Sequence, residues 1–345
     1  MRILLTGRHG FDYNRVQVLL RGLEQVHADQ FEVYIFGQRD TAAAKGLAAR
    51  AVRFDVVYIP PFRQRDAAFV KRHVGDVPVI LDPLIGSTIT RVVDYGSWWR
   101  KPYTRWLDRR LFLASDYILF DTEAHRDWSI RELGLPPNRC RTLYIGADTD
   151  LLNPGLSSTR VERPIIVGFY GSLVPLQGVD KIIEAAHLLR DHTTIRFEIV
   201  GDIAKVPDMA RLREAKPSKQ VKYYEYLPFA ELVERMKTWD ICLGCFGESL
   251  KADIVIPNKV YHYAALGKAI ISRDTRGMAE RFEAGRDFVG VPPDTAALVR
   301  AIEDLAGYSA RRRALGLAAR SVMMRGLTAK HIAQDFLRIA RDVVG

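Results

Sequence analysis

The chain has 345 residues, more than one ordinary hydrophobic core accommodates, so it is expected to form two domains. With 48% hydrophobic and 27% charged residues it is not a disordered protein, and its net charge of +10 favours anionic partners: nucleotide phosphates, an acidic membrane surface or nucleic acid. Three cysteines (Cys140, Cys242, Cys245) form no disulfide framework and no zinc-ligand set, and they read as buried thiols in a reducing compartment. Arg2-Ile3-Leu4-Leu5 leading into Gly7 reads as a first strand rather than a signal peptide, and no apolar run approaches the ~20 residues that span a bilayer. The expected location is cytoplasmic, or peripheral to the inner face of a membrane.

Strand one, Arg2–Thr6, ends in a glycine-bearing loop through Gly10 and reaches a helix at 14–24. The loop lacks the GxGxxG pattern of a dinucleotide site, although Gly10 permits close approach to a ligand. Strands follow at 31–36, 55–59 and 78–81, the last running into a loop with Asp82 and Ser87. The next helical region is basic and aromatic: Trp98, Trp99, Arg100, Lys101, Tyr103, Arg105, Trp106, Arg109 and Arg110. It is divided between core packing and a membrane-interface patch. A strand at 117–121 precedes Thr122, a candidate N-cap that puts His125 at the third helical position. After a short strand at 141–145, the polar residues 155–163 read as a linker.

The βα alternation then restarts, with strands at 165–170, 196–200, 221–224, 241–245 and 269–272. Helices are expected at 178–190, 208–214, 229–238, 258–266, 295–306 and 309–323, and a final amphipathic helix at 328–344. Two such arrays imply two doubly wound α/β domains facing a cleft. The most informative stretch is 244–272, read as a strand end, a polar loop with Glu248, Lys251 and Asp253, and a helix starting at Asn258-Lys259. Two lysines beside a helix N-terminus at the carboxyl end of a strand suit a phosphorylated anion. A cation in the first helical turn opposes the helix dipole, which also points to an anion nearby.

Tyr144-Ile145-Gly146-Ala147-Asp148-Thr149-Asp150 with Asn153-Pro154 resembles the inter-domain N-G-V-D-x-x-x-F-x-P motif of the GT-B glycosyltransferases, and within them of the retaining, glycogen-synthase-like group 1 family. Val167–Leu173 with Gln177-Gly178-Val179-Asp180 is similar to its donor-phosphate loop, and Phe197–Asp202 to the next strand and turn. Pro257-Asn258-Lys259-Val260-Tyr261, Ala265-Leu266-Gly267-Lys268 and Ile270-Ile271 are similar to its donor-binding helix and following strand. Asn14-Arg15-Val16, Arg21-Gly22-Leu23, Asp82-Pro83, Asp121–His125 and Leu173–Gly178 resemble a subgroup of bacterial and archaeal surface-polysaccharide transferases. The chain departs from the family at Ser172 and Gln177, where the family has Arg and Lys. Its Glu-x7-Glu motif falls at Ile254 and His262.

The resemblance implies a GT-B fold: an acceptor-binding domain at 1–155, a nucleotide-sugar-binding domain at 164–325, and a terminal helix, 326–345, crossing back to the first. It implies hexosyl transfer from a nucleotide sugar to a carbohydrate or lipid-linked acceptor, with retention and without a metal or other cofactor. Lys251 and Lys259 then stabilise the leaving diphosphate, and Glu248 meets donor-sugar hydroxyls. Gly171, Ser172, Gly178 and Asn258 approach the phosphates, His262 the ribose, and Asp202, Tyr226 and Leu227 the base. Gly10, Asp82, Ser87 and His125 meet the sugar or the acceptor. Bland roles stand beside these: a turn at Gly10, a turn acid at Asp82, a structural His125, and a Glu248–Lys251 surface pair. Other readings of the fold are a nucleotide-sugar 2-epimerase, which needs several carboxylates around the sugar, or a weakened nucleotide-sugar-binding protein. Nucleic-acid binding is opposed by scattered charge and the lack of a recognised motif.

Overall fold

The structure, a computed structural model, describes residues 1–27, 30–94, 96–155, 164–172, 175–201 and 220–345. It divides into two compact units: residues 1–148 with 326–345, and residues 149–325. The linker 156–163, Asp202 and the helix expected at 208–214 lie outside the described residues.

The first unit runs β1 (Ile3–Gly7), α1 (Asn14–His27), β2 (Phe31–Ile35), α2 (Thr41–Ala51), β3 (Val56–Ile59), α3 (Ala67–His73), β4 (Val79–Leu81), α4 (Lys101–Phe112), β5 (Tyr117–Phe120), α5 (Glu123–Leu133) and β6 (Cys140–Thr142). The second continues with β7 (Ile165–Tyr170), α6 (Val179–Leu188), β8 (Ile195–Val200), β9 (Val221–Tyr224), α7 (Phe229–Thr238), β10 (Ile241–Leu243), α8 (Leu250–Ile254), α9 (Asn258–Ala265), β11 (Ala269–Arg273), α10 (Arg276–Ala279), β12 (Val289–Val291), α11 (Thr295–Gly307) and α12 (Ser309–Gly326). The last helix, α13 (Ala329–Val344), belongs to the first unit.

Each unit is built on a six-stranded sheet, ordered β2-β1-β3-β4-β5-β6 and β12-β11-β10-β7-β8-β9. All the strand pairs are parallel. The apolar runs of β1, β3 and β10 follow from burial on both faces, whereas the edge strands β2 and β9 are partly exposed. In both sheets the chain leaves the first strand toward one side and returns on the other. Reversals therefore lie between β1 and β3 and between β7 and β10. Ligands bind at the carboxyl ends of strands at such a reversal.

α13 buries Ile332, Phe336, Leu337 and Ile339, each contributing about 1.5–3 kcal/mol when fully removed from water. It crosses α1 at Gly22, where a Cβ would lie 2.0 Å from the Ala329 carbonyl oxygen, so no larger residue fits without separating the helices. Phe336 also meets Tyr58 edge to face at 5.4 Å.

Five elements differ from the sequence reading, one of them the four-residue α10, too short to carry a period. The expected polar loop after β10 contains α8, capped by the Ser249 hydroxyl, which accepts from the Ala252 N–H. β12 was not expected, because a three-residue Val-Gly-Val edge carries little pattern. α2 was also missed, since its Ala-rich sequence has no apolar period. The strand expected at 141–145 is shorter, Cys140–Thr142, and its extension survives as one hydrogen bond from Leu143 N–H to the Phe120 carbonyl, 2.8 Å.

Candidate active site

The reversal in the second sheet gathers the ends of β7 and β10 with the starts of α6, α8 and α9. After Gly171 and Ser172 a short 3-10 turn, Pro175–Gln177, leads to Gly178. Gly178 has φ +61°, and a Cβ there would lie 2.5 Å from the Phe246 backbone. Only glycine satisfies both demands, and it lets α6 start directly against the end of β10. The Phe246 N–H donates to the Gln177 carbonyl at 3.0 Å, locking the two strand ends together.

Lys259, in the first turn of α9, is the chemical centre of this cluster. Its ammonium donates to Gln177 Oε1 at 2.9 Å and lies 3.8 Å from the Phe169 ring centroid. The Gln177 amide in turn reaches the Ser172 hydroxyl at 3.5 Å. Lys259 is only 4% exposed, and burial lowers its pKa to about 8. A desolvated cation held by one neutral amide and an aromatic face is well placed to attract an anion. Lys251 is also buried, on α8, which packs beside the 3-10 turn. Asn258 opens α9 and is half-buried.

Glu248 is exposed and pairs with Lys181 of α6 at 3.1 Å. That pair links α6 to the loop after β10. Asp253 pairs with Arg276 at 2.7 Å, and Arg273 donates to the Gly247 carbonyl at 2.8 Å.

His262 lies deeper along α9. Its Nδ1 and the Tyr170 hydroxyl share a 2.6 Å hydrogen bond, the two rings stack nearly parallel, and Phe229 packs at 5.2 Å. Burial lowers the His262 pKa to about 4, so the imidazole is neutral at pH 7. Tyr226 is 84% exposed and Leu227 half-buried, in the segment between β9 and α7.

In the first unit Gly10 turns the loop after β1, close to the Pro61 carbonyl after β3. Asp82, at the end of β4, is fully buried. Its Oδ2 accepts from Arg15 Nε and from the Tyr58 hydroxyl, the latter at 2.9 Å. Arg15 also donates to the Leu143 carbonyl at 2.8 Å. Burial pushes the Asp82 carboxyl above its ordinary value, and Arg15 pulls against that. Thr122 caps α5 as expected, and His125 is buried with its Nδ1 2.7 Å from Asp121 Oδ1. The Ser87 and Thr88 N–H groups donate to the Asp108 carboxylate at 2.9 and 2.7 Å.

The sequence reading missed Arg15, Tyr58, Tyr170, Lys181 and Asp108 as members of these networks. Arg15 left a trace: it stands one helical turn before Leu19 on the apolar stripe of α1, where a buried arginine requires an acid partner.

A family model described as glycosyl transferase 4-like domain matches residues 5–146, and one described as glycosyl transferases group 1 matches residues 164–307. The chain belongs to the GT-B glycosyltransferases. HepE from Anabaena, solved in complex with UDP, has a TM-score of 0.73 at 15% identity, covering 99% of this chain and 100% of that one. The same protein with UDP-glucose gives 0.71 at 15% identity, covering 99% and 100%. Sucrose-phosphate synthase from Thermosynechococcus elongatus gives 0.75 at 12% identity, covering 99% of both chains. At these identities the likeness is one of fold. No curated protein sequence matches the chain. In this GT-B glycosyltransferase the group 1 match contains the whole β7–β10 cluster, and the 4-like match contains Gly10, Asp82 and His125.

Proposed function

We propose that the protein transfers a hexosyl group from a nucleotide sugar to a carbohydrate or lipid-linked acceptor, with retention of anomeric configuration and without a metal. The observation that carries this reading is the buried Lys259 ammonium, held by Gln177 at a sheet reversal beside a glycine turn and two helix N-termini. That is the chemistry of a diphosphate site. The UDP and UDP-glucose held by the Anabaena relative support a nucleotide-sugar donor.

In this reading Lys259 and Lys251 stabilise the departing diphosphate as the bond from the anomeric carbon to the phosphate oxygen breaks. The acceptor hydroxyl attacks from the same face and gives its proton to that oxygen, as the family resemblance implies. The backbone at Gly171, Ser172 and Gly178 approaches the phosphates, with Asn258 beside them. Glu248, steadied by Lys181, meets donor hydroxyls. Asp202, Tyr226 and Leu227 remain proposed neighbours of the base, and Gly10, Asp82, Ser87 and His125 of the sugar or acceptor. His262 offers the ribose a neutral imidazole tied to Tyr170, where the family has a carboxylate. An epimerase is less well served, because the carboxylates of Glu248 and Asp253 are both paired with basic side chains. The resemblance to surface-polysaccharide transferases makes a cytoplasmic step in such an assembly the proposed setting.

Thermal unfolding with a panel of nucleotide sugars and chelator present tests the reading. A ligand at a hundred times its Kd stabilises the folded state by about 2.7 kcal/mol. Stabilisation by a nucleoside diphosphate hexose, lost in Lys259→Ala, is expected. If no nucleotide sugar shifts the transition, or the variant responds equally, the assignment is wrong.

A further inference from the structure

We propose that the segment from Trp98 to Arg110 is a docking face for an anionic lipid bilayer. The helix α4 is inverted relative to an ordinary surface helix. It buries Thr104 and Asp108 along with Phe112, and turns its aromatic residues outward. Trp98 is 74% exposed, Trp99 62%, Tyr103 61% and Trp106 53%. Single exposed apolar residues need no explanation, but four large aromatics on thirteen consecutive residues do.

The stripe has a definite order. Trp99, Tyr103, Trp106 and Arg110 follow at helical spacing, so they lie along one face. Tyr103 and Trp106 are 6.1 Å apart, and the Arg110 guanidinium sits 5.3 Å from the Trp106 ring. The burial of Asp108 has its own cause, since it caps the Ser87 and Thr88 N–H groups, and this fixes which side of the helix faces out.

Charge selects the partner. Arg100, Lys101, Arg105 and Arg110 stand among the aromatics, Arg109 is turned to the Leu133 and Gly134 carbonyls, and Glu132 is the acid that Lys101 and Arg105 reach, at 3.1 and 3.2 Å. Trp98, Trp99, Lys101, Pro102 and Arg105 line an open cavity of about 580 Å3, roomy enough for a phosphate headgroup. Indole rings and phenols favour the headgroup level of a bilayer, and arginines beside them meet lipid phosphates. A second copy of the chain would bring like charges face to face. No described helix is long and apolar enough to cross a membrane. The inference is independent of the donor site, because these residues belong to the first unit and Lys259 to the second.

The test is flotation of the purified full chain with vesicles of phosphatidylcholine alone or mixed with phosphatidylglycerol. The protein is expected to float with the mixed vesicles and not with neutral ones, and its tryptophan emission to shift to the blue. Each basic charge removed near an anionic surface weakens partition about fivefold, so R100E/R110E is expected to lose more than tenfold. Trp98→Ala/Trp99→Ala is expected to lose retention at raised salt, where screening leaves the aromatic contribution. A single cooperative thermal transition at the parent's midpoint in both variants shows that they are folded. Equal flotation with both vesicle types, or variants that float like the parent, overturns the proposal. So does a concentration-dependent dimer, or tight oligonucleotide binding, that either double variant abolishes.

Discussion

Lys259→Met separates the cost of the buried ammonium from its use. Burial moves this amine from 10.5 to about 8, which corresponds to roughly 3 kcal/mol of bias against the charged form. Its folded pKa lies below the unfolded value. Below pH 8 both states hold the proton and the full penalty stands. Between pH 8 and 10.5 the unfolded state binds more protons, so stability rises with pH across that window. Methionine keeps the stem volume and removes the charge. It also removes the bond to Gln177 Oε1, but Gln177 is half-buried and water can replace part of that loss, leaving a cost of about 1 kcal/mol.

The variant without ligand is therefore expected to be about 1–2 kcal/mol more stable at pH 7, with its rise in stability between pH 8 and 10.5 flattened. Its affinity for a nucleoside diphosphate is expected to fall about thirtyfold, the worth of one charge-assisted hydrogen bond near 2 kcal/mol. In the parent, affinity should weaken above pH 8 as the ammonium is lost. Urea unfolding at pH 7 and above pH 9, with calorimetric titration of UDP, measures both quantities. A variant that is less stable than the parent and binds UDP equally refutes the reasoning. Lys259 would then be a structural cation satisfied by Gln177 and Phe169.

Two other changes probe the buried polar groups. His262 has a folded pKa of about 4 against 6.5 unfolded, so its contribution is present above pH 6.5 and is lost as pH falls toward 4. Replacing it by glutamine should remove about 2 kcal/mol of the stability lost between pH 7 and pH 5, and an unchanged urea-midpoint difference between those pH values argues against a neutral buried imidazole. Asp82→Asn leaves the Arg15 guanidinium without its counter-ion and is expected to cost about 3 kcal/mol in chemical denaturation. The pair Arg15→Met with Asp82→Leu should recover much of that loss, and a double variant no better than the single one shows that the ion pair is not the source.

What the sequence disclosed follows the physics of each element. β1, β3, β7 and β11 are legible because parallel strands covered on both faces become apolar runs. α13 is legible from its helical apolar period. β12 and α8 are too short for a period, although Ser249 in front of α8 was a readable cap. At the site, Pro257-Asn258-Lys259 announces a helix start with an out-of-place cation. Its partner does not follow from local pattern: Gln177 is 82 residues away, joined only through the order of β7 and β10. The same holds for Asp82, whose aspect as a turn acid before Pro83 gives no sign of an arginine 67 residues upstream. Likewise the outward aromatics of α4 depend on Asp108 being claimed by the loop after β4.

The exchange of charged for neutral residues in the loop after β7 becomes coherent once Lys259 is seen in place. An arginine or lysine at position 177 would set a second cation where the Lys259 ammonium now meets Gln177, and two cations so close in a desolvated site would repel. Gln177 instead presents its amide oxygen to the ammonium and its amide nitrogen toward Ser172. The positive charge of this cluster sits in the first turn of α9. That position carries the positive end of the helix dipole, so the two fields add at any anion held there. Placing a lysine there weakens the unliganded protein, and an anion relieves the strain by restoring a counter-charge. Binding free energy and folding free energy are thereby linked at one side chain, which is why stability and affinity are expected to move in opposite directions when that side chain is replaced.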